Sequence, residues 1–198
     1  RPGDTVLDIC AGLGGKSTHM AALNGGKGDI LAVDLNRRRL VALVHNAHRL
    51  GIDNIHPVVA DASKSLSSAF SVQFDKVILD APCSGLGTIS RHPDIKWNRD
   101  EGDIIRLSFM QKTIMNEAAS VIQKGGRILF VTCTISKEEN EDVVEDFLVR
   151  NSDVSLENLK SHVPEWGLDL IDDQGFFRTF PHIHNMDGFF AALFTKSV

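Results

Sequence analysis

The sequence predicts an α/β protein built on a doubly wound, mostly parallel, Rossmann-like sheet of seven strands. Three observations carry that prediction. Short apolar runs alternate with stretches of helical length, the pattern of βαβ units. A glycine-rich turn joins the first run to the first helix, and the second and third runs each end in an aspartate, Asp34 and Asp61. A fourth and a fifth run then deliver Cys83 and Cys133 to the carboxyl end of the sheet, where ligands of such folds bind.

Asp4 to Ile9 reads as the first strand. Cys10-Ala11-Gly12-Leu13-Gly14-Gly15-Lys16-Ser17 follows, then a helix to about Leu23 that stops at Asn24-Gly25-Gly26. Glycines in this position let backbone N–H groups approach a polar or anionic ligand. Three readings of the loop compete. A phosphate loop requires G-x-x-x-x-G-K-[ST]; Gly15-Lys16-Ser17 fits its end, but the first glycine falls on Cys10. The dinucleotide fingerprint G-x-G-x-x-G, begun at Gly12 and Gly14, meets Ser17 where its last glycine belongs. What remains is a nucleoside-type loop preceded by an acid, Asp8.

Ile30 to Val33 is the second strand, ending in Asp34, placed to accept the ribose hydroxyls of a nucleoside. Arg37 to Leu50 forms an amphipathic helix with Leu40, Val41, Val44, Ala47 and His48 near one face, and Gly51 closes it. His45 and His48 belong in or beside that packing; no cysteine or carboxylate shares their spacing to suggest a metal. His56 to Ala60 is the third strand, with Asp61 after it. The fourth, Val77-Ile78-Leu79-Asp80, runs into Ala81-Pro82-Cys83-Ser84-Gly85-Leu86-Gly87, the composition of a strand-end loop built for chemistry. Beyond it Arg91 and Lys96 are available to phosphates, and Trp97 either packs on the core or joins that basic flank.

A long helix from Gly102 to about Gln123 is expected to turn Ile105, Phe109, Ile114, Ala118 and Val121 inward. Arg127 to Thr134 is the fifth strand, and Cys133 at its end would face Cys83 across one cleft. Ser136 to Asn151 reads as an acidic helix capped by Ser136, with Glu139 in the capping-box position and Glu138-Glu139-Asn140-Glu141 as a solvated first turn. Phe176 to Phe180 and Phe189 to Lys196 form a closing hairpin.

At 198 residues and 42% apolar composition, the chain supports one core, so a single domain over 1–198 is expected. Arg1-Pro2-Gly3-Asp4 opens without an initiator methionine or a signal-peptide pattern, which reads as a fragment of a longer protein. No apolar run approaches the ~20 residues of a membrane span. Three cysteines without C-x-x-C spacing fit reduced thiols in a cytoplasm. A net charge of −5 does not suit a nucleic-acid binder standing alone.

Cys10, beside apolar core, reads as a small hydrophobe. Cys83 and Cys133 lie in polar strand-end sequence. A thiolate is suited to adding to carbon-6 of a pyrimidine, which makes carbon-5 nucleophilic, and a second thiol can serve as the base that removes the carbon-5 proton. The stretches DICAGLGGKSTH, AVDLNRRRL, VVADA, LDAPCSGLGTISRHPDIKW, FVTCTISKEENE and FPHIHNMDGFF stand in order along the chain. On these it resembles the catalytic domain of the RsmB/Sun family of RNA 5-methylcytosine methyltransferases, whose pair of thiols in DAPCSG and TC is specific; RHPDIKW points to its bacterial ribosomal-RNA branch.

The resemblance implies the class I S-adenosylmethionine-dependent fold and methylation of carbon-5 of cytosine in RNA, with ribosomal RNA of the small subunit as the target. It implies Cys133 as nucleophile, Cys83 as the aid to proton removal and release, and Asp80 as partner of the cytosine edge. Cys10, Ala11, Gly12, Leu13, Gly14, Gly15 and Lys16, with Asp34, Asp61 and Asp80, would hold S-adenosylmethionine. No metal is required. Gly12-Leu13 replaces the family's usual Ala-Pro, and Phe130 a frequent tyrosine. The family's usual upstream RNA-recognition region is not in this sequence. The rivals are methylation of another base, for which DAPC lacks the [DNS]-P-P-[YF] loop of amine methylation, and a catalytically silent RNA-binding or ribosome-assembly module on the same fold.

Overall fold

A computed structural model describes residues 3–198; Arg1 and Pro2, the first residues of the lead-in read above, lie outside them. In chain order the elements are β1 (Val6–Ile9), α1 (Gly15–Leu23), β2 (Ile30–Asp34), α2 (Arg37–Arg49), β3 (Ile55–Val59), α3 (Leu66–Ala69) and β4 (Phe74–Asp80). They continue with α4 (Ile95–Asn98), α5 (Glu101–Val121), β5 (Ile122–Thr132), α6 (Glu141–Arg150), β6 (Val154–Glu157), β7 (Phe177–Arg178), α7 (Pro181–His184) and β8 (Phe190–Lys196).

The strands join in the order β3-β2-β1-β4-β5-β8-β6, and β7 pairs with β8 beside β6. The first five are parallel and β8 enters antiparallel to β5, with Phe130 opposite Ala192. The order reverses between β1 and β4, which opens a crevice at their carboxyl ends. Val6, Leu7 and Ile9 of β1 and Val77 and Leu79 of β4 are buried because helices cover both sheet faces. Phe74, Phe130, Phe147, Phe190 and Phe194 fill the space under α5 and α6, each contributing about 1.5–3 kcal/mol by leaving water.

Several expectations change on folding. On α2 the buried residues are Leu40, Leu43 and Ala47, while Val41, Val44, His45 and His48 point outward. The i, i+3, i+7 stripe is kept, and residues one position round the helix miss the sheet. On α5, Ile114, Ala118 and Val121 are inward as expected, but Ile105 and Phe109 are exposed. Their place on the buried face is taken by Leu107, Ser108 and Gln111; polar side chains are turned in because they bond the loops beyond the sheet.

The acidic helix begins at Glu141, with Asn140 before it, not at Ser136. Glu138 to Asn140 therefore do not form a solvated first turn; Glu139 and Asn140 are buried in a loop that leaves β5. Val154 to Glu157, unrecognised in the sequence because it is four residues long, adds the strand β6 at the sheet edge. The closing hairpin shrinks to β7 and β8, and its connection contains α7. Trp97 does not pack on the core; it is 87% exposed. Among the described residues, no helix is long and apolar enough to cross a membrane.

Candidate active site

The loop after β1 turns sharply because Cys10 and Gly12 have positive φ, 63° and 58°, and Gly14 follows at 84°. At Gly14 any Cβ would overlap Leu43, 2.4 Å from its Cγ, so α2 can close on this loop only over a glycine. The carboxylate of Asp34, at the end of β2, ties the turn down by accepting the N–H of Gly12 at 2.9 Å and that of Asn36 at 2.7 Å. Beneath the loop, Asp8 is fully buried, accepts the Ser17 hydroxyl at 2.5 Å and leaves Oδ1 without a protein partner. Burial raises its carboxyl to about 6.

A cleft of about 450 Å³ opens at the carboxyl ends of β1, β2, β3, β4 and β5. Cys10, Asp34, Asp61, Asp80, Cys83 and Cys133 all line it, so six of the residues singled out in the sequence meet around one space. Ala11, Gly12, Leu13, Gly14, Gly15 and Lys16, also expected at the cofactor site, do not line it, and Lys16 instead reaches Asp80, Nζ to Oδ2 at 2.5 Å. Met110 and Ile114 of α5 form an apolar wall that sequence reasoning missed; the sequence pattern turns Ile114 into the core and does not single out Met110. Asp61 accepts both the N–H and the hydroxyl of Ser63, and those bonds hold its carboxyl below the usual range.

The two cysteines expected to face one another do so, Sγ to Sγ at 3.2 Å. The bond between the two sulfurs holds the Cys133 thiol below its ordinary value despite burial. The same bond, with burial second, pushes the Cys83 thiol up. Cys10 stands apart: burial first, then Asp34 and the other carboxylates, raise it to about 12. The loop that carries Cys83 is pinned from two sides. Gly87 N–H donates to the Cys133 carbonyl at 3.0 Å, and its carbonyl accepts from Gly188 at 2.7 Å. Either glycine with a Cβ would strike the other's backbone.

The family model for 16S rRNA methyltransferase RsmB/F matches residues 1–195. The chain belongs to the RsmB/F family. Among its relatives, a probable ribosomal RNA small subunit methyltransferase B of Bacillus subtilis is 37% identical over 98% of this chain and 43% of its own length. A human 28S rRNA (cytosine(4447)-C(5))-methyltransferase is 38% identical over 98% of this chain and 25% of its own. In structure, NSun6 of Pyrococcus horikoshii, solved with SFG, superposes with a TM-score of 0.84 at 32% identity, covering 98% of this chain and 48% of that one. The chain thus spans less than half the length of these RsmB/F relatives.

Proposed function

We propose that residues 1–198 are the catalytic domain of an S-adenosylmethionine-dependent enzyme that methylates carbon-5 of cytosine in ribosomal RNA, that of the small subunit. The observation that carries this is the 3.2 Å thiol pair set beside Asp80 on a cleft ringed by carboxylates. The residues fit the cofactor: Asp34, Asp61 and Asp80 surround a space whose far wall is apolar, matching a ligand with a flat base, a ribose and a cationic end. The relative crystallised with SFG, an S-adenosylmethionine analogue, supports the same assignment. Asp34 and Asp61 would hold the nucleoside and Met110 and Ile114 the base. When bound, S-adenosylmethionine supplies an electrophilic methyl group.

Cys133 is the nucleophile in this reading, the role that the resemblance to the RsmB/Sun family gives it, and its thiol is the one of the pair held low. With its proton given to solvent, its sulfur bonds to carbon-6 of a cytosine splayed into the cleft, and the displaced electron pair is carried to carbon-5, where it would form the bond to the incoming methyl group. Lys16 occupies Oδ2 of Asp80, so Oδ1 faces the cytosine edge and stabilises its protonated form. Once the Cys133 sulfur is joined to carbon, the interaction that raised Cys83 is gone. Cys83 then gives up its own proton to solvent and accepts the one on carbon-5, and the carbon–sulfur bond breaks as the ring is restored.

The test is methyl incorporation from labelled S-adenosylmethionine into unmodified ribosomal RNA, with the product base identified after nuclease digestion. Cys133→Ala is expected to lose activity by at least about 10³-fold, and Cys83→Ala to accumulate an RNA adduct stable to denaturing gels. Label in another base, or activity that ignores both cysteines, refutes the reading.

A further inference from the structure

Glu139 is the strongest chemical group that this mechanism leaves unused. It is fully buried in the loop between β5 and α6, and no cation pairs with it among the described residues. Its Oε1 accepts the N–H of Ser84 at 2.8 Å and Nε2 of Gln111 at 3.0 Å, while Oε2 accepts the Ser84 hydroxyl. A carboxylate held out of water by neutral donors alone is costly, and a loop position seven residues beyond the end of β5 does not require one. Its partners locate its purpose: Ser84 follows Cys83 directly, and Gln111 also donates to the carbonyl of Pro82, which precedes Cys83, at 2.9 Å.

The other side of the clamp is Thr134, the residue after Cys133. Its hydroxyl lies 2.8 Å from that of Ser84 and accepts the N–H of Ser136 at 3.2 Å. The residues that follow the two thiols are thus bonded to each other, and Glu139 closes the ring from the Cys133 side. Its role is not to activate a thiolate. Cys133 is held low by its bond to Cys83, and the charge of Glu139 pulls the other way.

We infer that Glu139 is a positioning residue: it locks the peptide after Cys83 to the loop after Cys133 and so fixes the separation of the two sulfurs. The inference rests on the two-thiol reading above for its use, but its geometry can be measured without RNA or cofactor. Diamide joins neighbouring thiols: each sulfur loses a hydrogen, a sulfur–sulfur bond forms, and the N=N bond of the reagent takes up both hydrogens. The rate of that pairing is a ruler for the cleft.

Glu139→Ala is expected to slow Cys83–Cys133 pairing about tenfold or more, since displacements near 1 Å have effects of this size on reactions between fixed groups. Glu139→Gln, which can still accept from Ser84 N–H and donate to its hydroxyl, is expected to stay within about threefold of wild type. Protection of Cys10 from alkylation, read in the same samples, reports an intact fold. Pairing by Glu139→Ala at the wild-type rate with Cys10 protected overturns the proposal. If that variant exposes Cys10, Thr134→Val, which deletes the hydroxyl that meets Ser84 and accepts from Ser136 N–H, takes its place, and an unchanged rate there overturns the proposal equally. Should methylation prove indifferent to both cysteines while these rates behave as expected, the two-thiol reading fails and the clamp stands.

Discussion

Cys10 and Cys133 each occupy the first position beyond a core strand, β1 and β5, and both line the same cleft. Their thiols are nevertheless driven in opposite directions. Cys10 lies over buried apolar surface and among Asp34, Asp80, Asp8 and Asp61, all of which oppose a second negative charge. Cys133 has the Cys83 sulfur 3.2 Å away in the loop after β4, and that bond lowers its thiol. A strand end therefore supplies the location of a reactive group and nothing of its reactivity; what faces the sulfur decides that.

The sharpest way to break this comparison is to count thiolates. At pH 7.5, iodoacetamide should modify Cys133 faster than Cys10 by on the order of a thousandfold, followed by mass spectrometry of the digested protein. Faster labelling of Cys10 would reverse the assignment. Asp34→Ala comes next in size. It removes an acceptor for two backbone N–H groups and should weaken S-adenosylmethionine binding roughly 10- to 100-fold by calorimetry. The same change takes from Cys10 its strongest opposing charge, so Cys10 labelling should rise while that of Cys133 holds.

Asp8→Asn gives the smallest effect and a test of sign. The Asp8 carboxyl is raised by burial from 3.8 in the unfolded chain to about 6 in the fold. The folded protein therefore binds the proton more tightly, and this contribution to stability is present below about pH 4 and lost as pH rises through about 6. Urea unfolding should show Asp8→Asn more stable than wild type at pH 8, by at most about 3 kcal/mol, with the gain vanishing near pH 4. A gain that is equal at both pH values would mean that burial of this carboxylate is not what sets its titration.

Much of this arrangement was legible in the sequence, and what was not has identifiable causes. Apolar runs that end in Asp34, Asp61, Asp80 and Cys133 mark the carboxyl edge of a parallel sheet, because a buried strand can hold polar residues only where it leaves the core. The pairing of Cys83 with Cys133 followed from β4 and β5 being neighbours. Periodicity failed on α5, where Ser108 and Gln111 face inward to bond the loops while Phe109 faces water. It failed at Glu139 for the same reason: a capping-box pattern and a buried clamp use the same residue types, and only tertiary contacts distinguish them. The segment Pro181 to Gly188 read as the turn of the hairpin, yet Asp187 pairs with Arg91 at 2.8 Å and Gly188 abuts Gly87, bracing the loop of the first thiol.

That backbone contact between Gly87 and Gly188 has a bearing on biosynthesis. A nascent chain emerging from the ribosome acquires both cysteines by residue 133, well before it contains Gly188. Until that residue is made, the Cys83 loop lacks one of the two surfaces against which it is seated. The paired thiols are therefore assembled late: a partly translated chain holds Cys133 and Cys83 before the loop that carries Cys83 is seated on both sides.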